Sequence, residues 1–236
     1  MSIAEKLTTI AENEQKVYDA GKKSQYDEFW DNYQYYGSRK HYKYGFAGVG
    51  WNKETFKPKY KITLEGTLGN DMFEYFGVEA KSVEDMFDYR LVKDMIDFSQ
   101  ATSASGVFED AAINYIDVDF SKATTLRTCF RYTMRANYVT HIRLKVSELC
   151  TNYEVAFQNA DKLTHLFFAE GSVIGANLSL SYSKSLVYES IMSVINALKD
   201  YSGTSTTRTL TLHADAKLRL NESDMAIARQ KGWDIV

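Results

Sequence analysis

The sequence predicts an α+β fold, a short irregular solenoid of strand-bearing units with a helix at its N-terminal end and a helical cap at its C-terminal end. Three observations predict it. Asp97-Phe98-Ser99-Gln100-Ala101-Thr102 returns 22 residues later as Asp119-Phe120-Ser121-Lys122-Ala123-Thr124, and the same offset carries Phe108 onto Phe130. Val139-Thr140-His141-Ile142-Arg143-Leu144 is answered 24 residues later by Leu163-Thr164-His165-Leu166-Phe167-Phe168. Strand candidates then recur at Lys61–Leu64, Met95–Phe98, Tyr115–Phe120, Val139–Leu144, Leu163–Phe168, Asn177–Tyr182 and Thr209–Ala214. Periods of roughly 20–29 residues with a short apolar strand in each unit are the signature of leucine-rich-repeat solenoids. Such units cannot bury their apolar faces alone, so they stack and leave an extended lateral surface.

Residues 1–34 read as an N-terminal helix. Ile3, Leu7, Ile10 and Val17 form an apolar stripe at helical spacing, with Glu14 in its one gap. A stripe of this kind is buried either on the helix's own domain or on copies of itself. The oligomer reading makes these four residues a seam, and mixed Ile and Leu there suits a trimer as well as a pair. Residues 35–60 form an aromatic and glycine-rich joint, in which Tyr35, Tyr36, Tyr42, Tyr44, Phe46, Trp51 and Phe56 alternate with glycines and lysines. The rings interleaved with Lys40, Lys43 and Lys53 have the form of a stacking surface for sugars or bases, or of a packing surface for the first repeat. Gly48-Val49-Gly50 lacks the G-x-G-x-x-G spacing of a dinucleotide loop, and its glycines read as turn formers.

Residues 61–214 carry the repeats. Alternation places Ile116, Val118, Phe120, Ile142, Leu144, Leu166 and Phe168 inward, because successive strand side chains point to opposite faces. Asp117, Asp119, His141, Arg143, His165 and Phe167 then face outward and form the expected binding surface. Ile191, Val194, Ile195 and Leu198 at helical spacing predict a helix within Leu186–Lys199, lying on the stack. Residues 215–236 read as the cap: Asn221 is a helix N-cap with Asp224 three residues on, Gly232 marks the helix end, and Trp233 and Ile235 cover the last apolar face.

Composition narrows the function classes. A net charge of −3 over 236 residues gives no general electrostatic reason to approach nucleic acid, whose binding usually needs a basic face. No run approaches the roughly 20 apolar residues of a membrane span, and Met1–Gln15 lacks the pattern of a signal peptide. The expectation is therefore a chain made and kept, at least first, in a cytoplasm, with no membrane insertion. Cys129 and Cys150 have no C-x-x-C spacing and read as small buried apolar residues, with a disulfide or a nucleophile as the alternatives.

The stretch Ile3-Ala4-Glu5-Lys6-Leu7-Thr8-Thr9-Ile10-Ala11-Glu12-Asn13-Glu14-Gln15-Lys16-Val17-Tyr18 resembles the N-terminus of structural proteins encoded by phages and prophages of gut Firmicutes, as do Phe46-Ala47-Gly48, Trp51 and Phe56-Lys57-Pro58-Lys59-Tyr60. The continuation resembles BspA-type leucine-rich repeats, whose units pair an apolar strand with an aromatic such as Phe108, Phe130 or Phe157. The chain departs from that pattern where the usual cysteine-serine-leucine step is Asn159-Ala160-Asp161-Lys162-Leu163, and where the late repeats lengthen. The resemblance implies a non-enzymatic virion component of the tail, baseplate or fibre, acting in assembly or host-surface attachment. Its implied partners are copies of itself, other virion proteins and a host-surface glycan or protein. An exported BspA-type surface adhesin is the alternative.

Two constellations carry possible chemistry. A uniform offset of 24 aligns Asp117, His141 and His165 in one outward column on strands about 4.8 Å apart, a candidate for a divalent metal or a row of mutually hydrogen-bonded ladder residues. Asp117 and Asp119 share a strand face as an acid/base pair for glycan cleavage would, or as solubilising carboxylates. There is no H-E-x-x-H, G-x-S-x-G or phosphate-loop motif, and no cofactor is expected. His41 and His213 stand in no motif, and two N-x-S sequons begin at Asn177 and Asn221.

Overall fold

The computed structural model describes residues 67–68, 97–109, 115–131 and 141–236 in full, and elsewhere the backbone of short strands. The expected helix of residues 1–34, and with it the seam Ile3, Leu7, Ile10 and Val17, lies outside the described residues. In the joint, β1 (Tyr33–Tyr36) pairs antiparallel with β2 (Arg39–Tyr42), and β3 (Trp51–Asn52) with β4 (Lys57–Pro58).

From there on every described pairing is parallel. β5 (Ile62–Thr67) pairs with β7 (Ile96–Ser103), while β6 (Arg90–Leu91), β8 (Tyr115–Asp119), β9 (His141–Lys145) and β10 (His165–Phe168) form one sheet in that order. The neighbour of β8 is thus β6, which the sequence pattern does not mark, and Met95–Phe98 belongs to β7 on the other ladder. Alternation explains the central strands: β8 and β9 bury every second residue, so Ile142 lies between Ile116 and Leu166, and Val118 meets Leu144. Phe168, opposite Leu144, is only partly buried.

The echoed residues occupy equivalent places in successive turns of chain. Phe98 and Phe120 lie edge to face with centroids 5.2 Å apart, and Phe108, Phe130 and Phe157 stack in a row at 5.7 and 5.2 Å. All five rings are buried. Backbone bonds repeat with them: Phe108 donates to the Cys129 carbonyl and Phe130 to that of Ala156, both at 2.9 Å. Arg131 donates from Nε to buried Glu109 at 2.7 Å, a pair with the same spacing as the phenylalanine echo.

Two residues before each stacked ring the backbone turns left-handed, at Gly106 (φ 68°), Thr128 (φ 55°) and Val155 (φ 47°). Glycine suits this conformation and a β-branched residue does not. Val155 is 36% exposed, so most of its side chain is covered and that burial offsets part of the strain. Val155→Gly should therefore change stability by less than about 1 kcal/mol, the strain relief of about 1–2 being balanced by the extra chain entropy of glycine and the lost burial. A loss above about 2 kcal/mol would sink this reading of the turn.

Beyond β10 the sheet stops because a helix stands where another strand would pair. α1 (Tyr188–Ala197) buries Ile191, Val194 and Ile195, as its spacing predicts. Ser190 Oγ accepts from the Leu166 amide at 3.0 Å and Ser193 Oγ from that of Phe168 at 2.9 Å, so hydroxyls satisfy the open edge. A second parallel sheet follows, built from β11 (Leu178–Leu180), β12 (Arg208–Leu212) and β13 (Trp233–Ile235). Between its last two strands lie α2 (Ala214–Lys217) and α3 (Glu222–Gln230). Asn221 and Asp224 form the expected capping box on α3, and Gly232 follows the helix at φ 80°. The expected boundary at residue 214 does not end the ladder. Trp233 and Ile235 are a paired strand within it, because their alternation directs Trp233 into the core.

Two buried side-chain atoms in this region have no hydrogen-bond partner among the described residues, Arg208 Nε on β12 and the Ser183 hydroxyl. Ala160 and Ser183 occupy matching turns, each amide donating to the carbonyl three residues back, but the fully buried Ser183 hydroxyl has no partner among the described residues. Ser183→Ala should stabilise the protein by about 1 kcal/mol, since the lone hydroxyl's desolvation cost disappears. Chemical denaturation measures it, and a loss of stability would mean that the hydroxyl has a partner.

Candidate functional site

The outward residues of β8, β9 and β10 make one continuous face. Their positions follow from alternation: with even-numbered residues inward on each strand, the odd-numbered ones project outward. Asp117, Asp119, His141, Arg143, His165 and Phe167 all lie on this face, joined by Tyr115 and Lys145. The expected binding surface omits these last two, although their odd-numbered positions on the same strands mark them.

The register sorts the face into columns and corrects one expectation. Tyr115, His141 and His165 are aligned, and Asp117 stands opposite Arg143 and Phe167. The expected column of Asp117, His141 and His165 does not form, because Asp117 and its partner on β9 are separated by 26 residues, two more than the offset relating the histidines. The carboxylate is therefore displaced one outward position from the imidazoles. Among the described residues, no three His, Cys, Asp or Glu side chains are placed to hold a metal.

The first column is a stack of rings. His141 and His165 lie face to face with centroids 4.1 Å apart and planes 6° apart, and Tyr115 covers His141 at 6.3 Å. His165 Nδ1 is 2.8 Å from Thr164 Oγ1, which sets the ring's rotation, and Phe167 leans toward it at 5.9 Å. Stacking occupies the ring faces, so edges are presented outward. Beside this column run ion pairs: Arg143 Nη1 to Asp117 Oδ2 at 3.2 Å, and Lys145 Nζ to Asp119 Oδ2 at 3.9 Å. Asp119 also accepts the Ser121 amide at 2.8 Å, as Asp97 accepts that of Ser99, which is the structural role of the echoed Asp-Phe-Ser. Each carboxylate of the candidate acid/base pair thus already has a cation of β9 beside it.

The remaining candidates are engaged in structure. Cys129 and Cys150 are buried free thiols, and burial pushes both above the ordinary thiol pKa. That works against thiolate chemistry. His213 caps α2 by accepting the Asp215 amide at 3.1 Å; His41 is described only as backbone in β2. Of the sequon residues, Asn177 accepts the Thr209 amide and Asn221 that of Asp224, each at 3.0 Å. No helix among the described residues is long and apolar enough to cross a membrane.

No family model, curated protein or solved structure matches the chain.

Proposed function

We propose that this chain is a non-enzymatic binding and assembly protein, a short irregular leucine-rich-repeat solenoid of BspA type that serves in a phage or prophage virion as a tail, baseplate or fibre component. The observation that carries the binding reading is the outward face of β8–β10, where a column of stacked rings crosses three parallel strands beside two ion pairs that join β8 and β9. A lateral surface of this kind suits a macromolecular partner better than a small substrate. The parallel ladders and the recurring phenylalanine row support the repeat architecture. The resemblance of the N-terminal stretch and of the aromatic joint supports the virion assignment.

Mass spectrometry of purified particles tests the assignment: the protein should appear in the particle fraction, and absence from every such fraction would sink it. Detection by surface labelling of intact, uninfected cells would instead favour the exported adhesin. The face has its own test. His165→Ala with Phe167→Ala should abolish attachment of the protein to particles or host cells. Because these are surface cross-strand contacts, stability should fall by no more than about 1 kcal/mol per contact. Undiminished attachment would remove this face from the mechanism.

A further inference from the structure

Where α1 replaces a strand beside β10, the molecule opens a cleft of about 560 Å³ between the helix and residues 168–172. The opening has a simple cause. A helix with its side chains is about 10–12 Å across, against a strand-to-strand spacing of about 4.8 Å, so it cannot sit as close to the following turn as a strand would. The floor is apolar, with Phe168 and Met192 both half-buried against the core. Tyr188, 40% exposed, stands at the helix N-terminal end and donates its hydroxyl to Asp224 Oδ1 at 3.0 Å, which anchors the ring. Glu170 and Glu189 are exposed on opposite walls, and none of the lining residues is basic. Lys231, which reaches the C-terminal end of the helix, is committed to the carbonyls of Ile195 and Asn196 at 3.0 and 2.8 Å.

We propose that this cleft receives a lysine or arginine side chain from a basic segment of a partner protein. The chemistry matches along the whole side chain. An aliphatic stem lies on Phe168 and Met192, the second of which adapts to stems of different shape. The cationic head meets the two carboxylates and the ring of Tyr188. An anionic or uncharged partner finds no complementary cation there. This site is separate from the outward face of β8–β10 and does not depend on it.

The test uses the full chain and a short fluorescent peptide carrying one lysine and one arginine, with a control peptide bearing glutamine at both positions. The basic peptide should bind, more weakly as salt rises, and the control should not. Glu170→Gln with Glu189→Gln should lower the affinity by about tenfold, the scale expected from two exposed charge interactions. These side chains are exposed, so the circular dichroism spectrum and melting temperature should stay as in the parent. Met192→Lys, which places a cation in the cleft, should abolish binding, while His165→Ala with Phe167→Ala should leave it unchanged. Equal binding of both peptides, no binding of the basic peptide up to millimolar concentration, or full affinity in the double glutamine variant would overturn the proposal.

Discussion

Phe130→Ala should destabilise the protein by about 3–5 kcal/mol, the range for emptying a fully buried aromatic site. Phe130 is completely buried and is stacked on both sides, against Phe108 with planes 11° apart and against Phe157 with planes 17° apart. Its removal leaves both neighbours without a face, so the cost includes two ring contacts of about 0.5–1.5 kcal/mol each. Urea denaturation supplies the number. The row also makes a finer prediction, because the loss should be shared between adjacent turns. Phe130→Ala combined with Phe157→Ala should cost clearly less than the sum of the two singles, since the second truncation has no stack left to break. Strict additivity would show that the rings are independent core residues, and a single-mutant change of a few tenths of a kcal/mol would show that the row is not packed as described.

Trp233→Ala is the second large effect, also about 3–5 kcal/mol. The ring is 1% exposed in the last described strand, its Nε1 donates to the Lys199 carbonyl at 2.8 Å, and Tyr201 lies 6.3 Å away. Truncation opens a cavity and leaves that carbonyl without its donor. Trp233→Phe separates the two losses, because it keeps most of the volume and should cost about 1–3 kcal/mol for the unmade hydrogen bond. If Trp233→Ala costs under about 1 kcal/mol, β13 is an appendage to the ladder and not part of its core. In a background with Trp30→Phe and Trp51→Phe, the fluorescence of Trp233 and the far-ultraviolet circular dichroism should be lost in one transition; an earlier loss of the fluorescence would likewise make β13 an appendage.

The candidate face was legible in part. Every outward residue can be named from alternation alone, Tyr115 and Lys145 included although the expected surface omits them, and the functional grouping cannot. Asp117 illustrates the difference. Its outward direction follows from the apolar neighbours Ile116 and Val118, but its partner does not: Arg143, not His141, stands opposite it. The cleft beside α1 is not visible in the sequence at all. The helical spacing of Ile191, Val194 and Ile195 announces a helix, yet nothing local states that the helix takes a strand's place beside β10. Only the bonds from Leu166 and Phe168 to Ser190 and Ser193 reveal that.

By itself the sequence determined which residues turn inward, where most strands and the helix α1 lie, and how α3 begins. These are local properties: a one-residue slip of a strand would carry Ile142 and Leu144 to the solvent and Arg143 into the core, a cost large enough to exclude it. The tertiary structure decided the alignment between strands, the pairing of β6 with β8, the substitution of α1 for a strand, and the use of Trp233–Ile235 as a strand. A slip of two residues leaves every side chain on its own face, so burial does not distinguish one such register from another. What distinguishes them is contact between turns far apart in the chain: the row Phe108, Phe130 and Phe157, the backbone bonds that accompany it, and the number of residues each loop spends between one strand and the next.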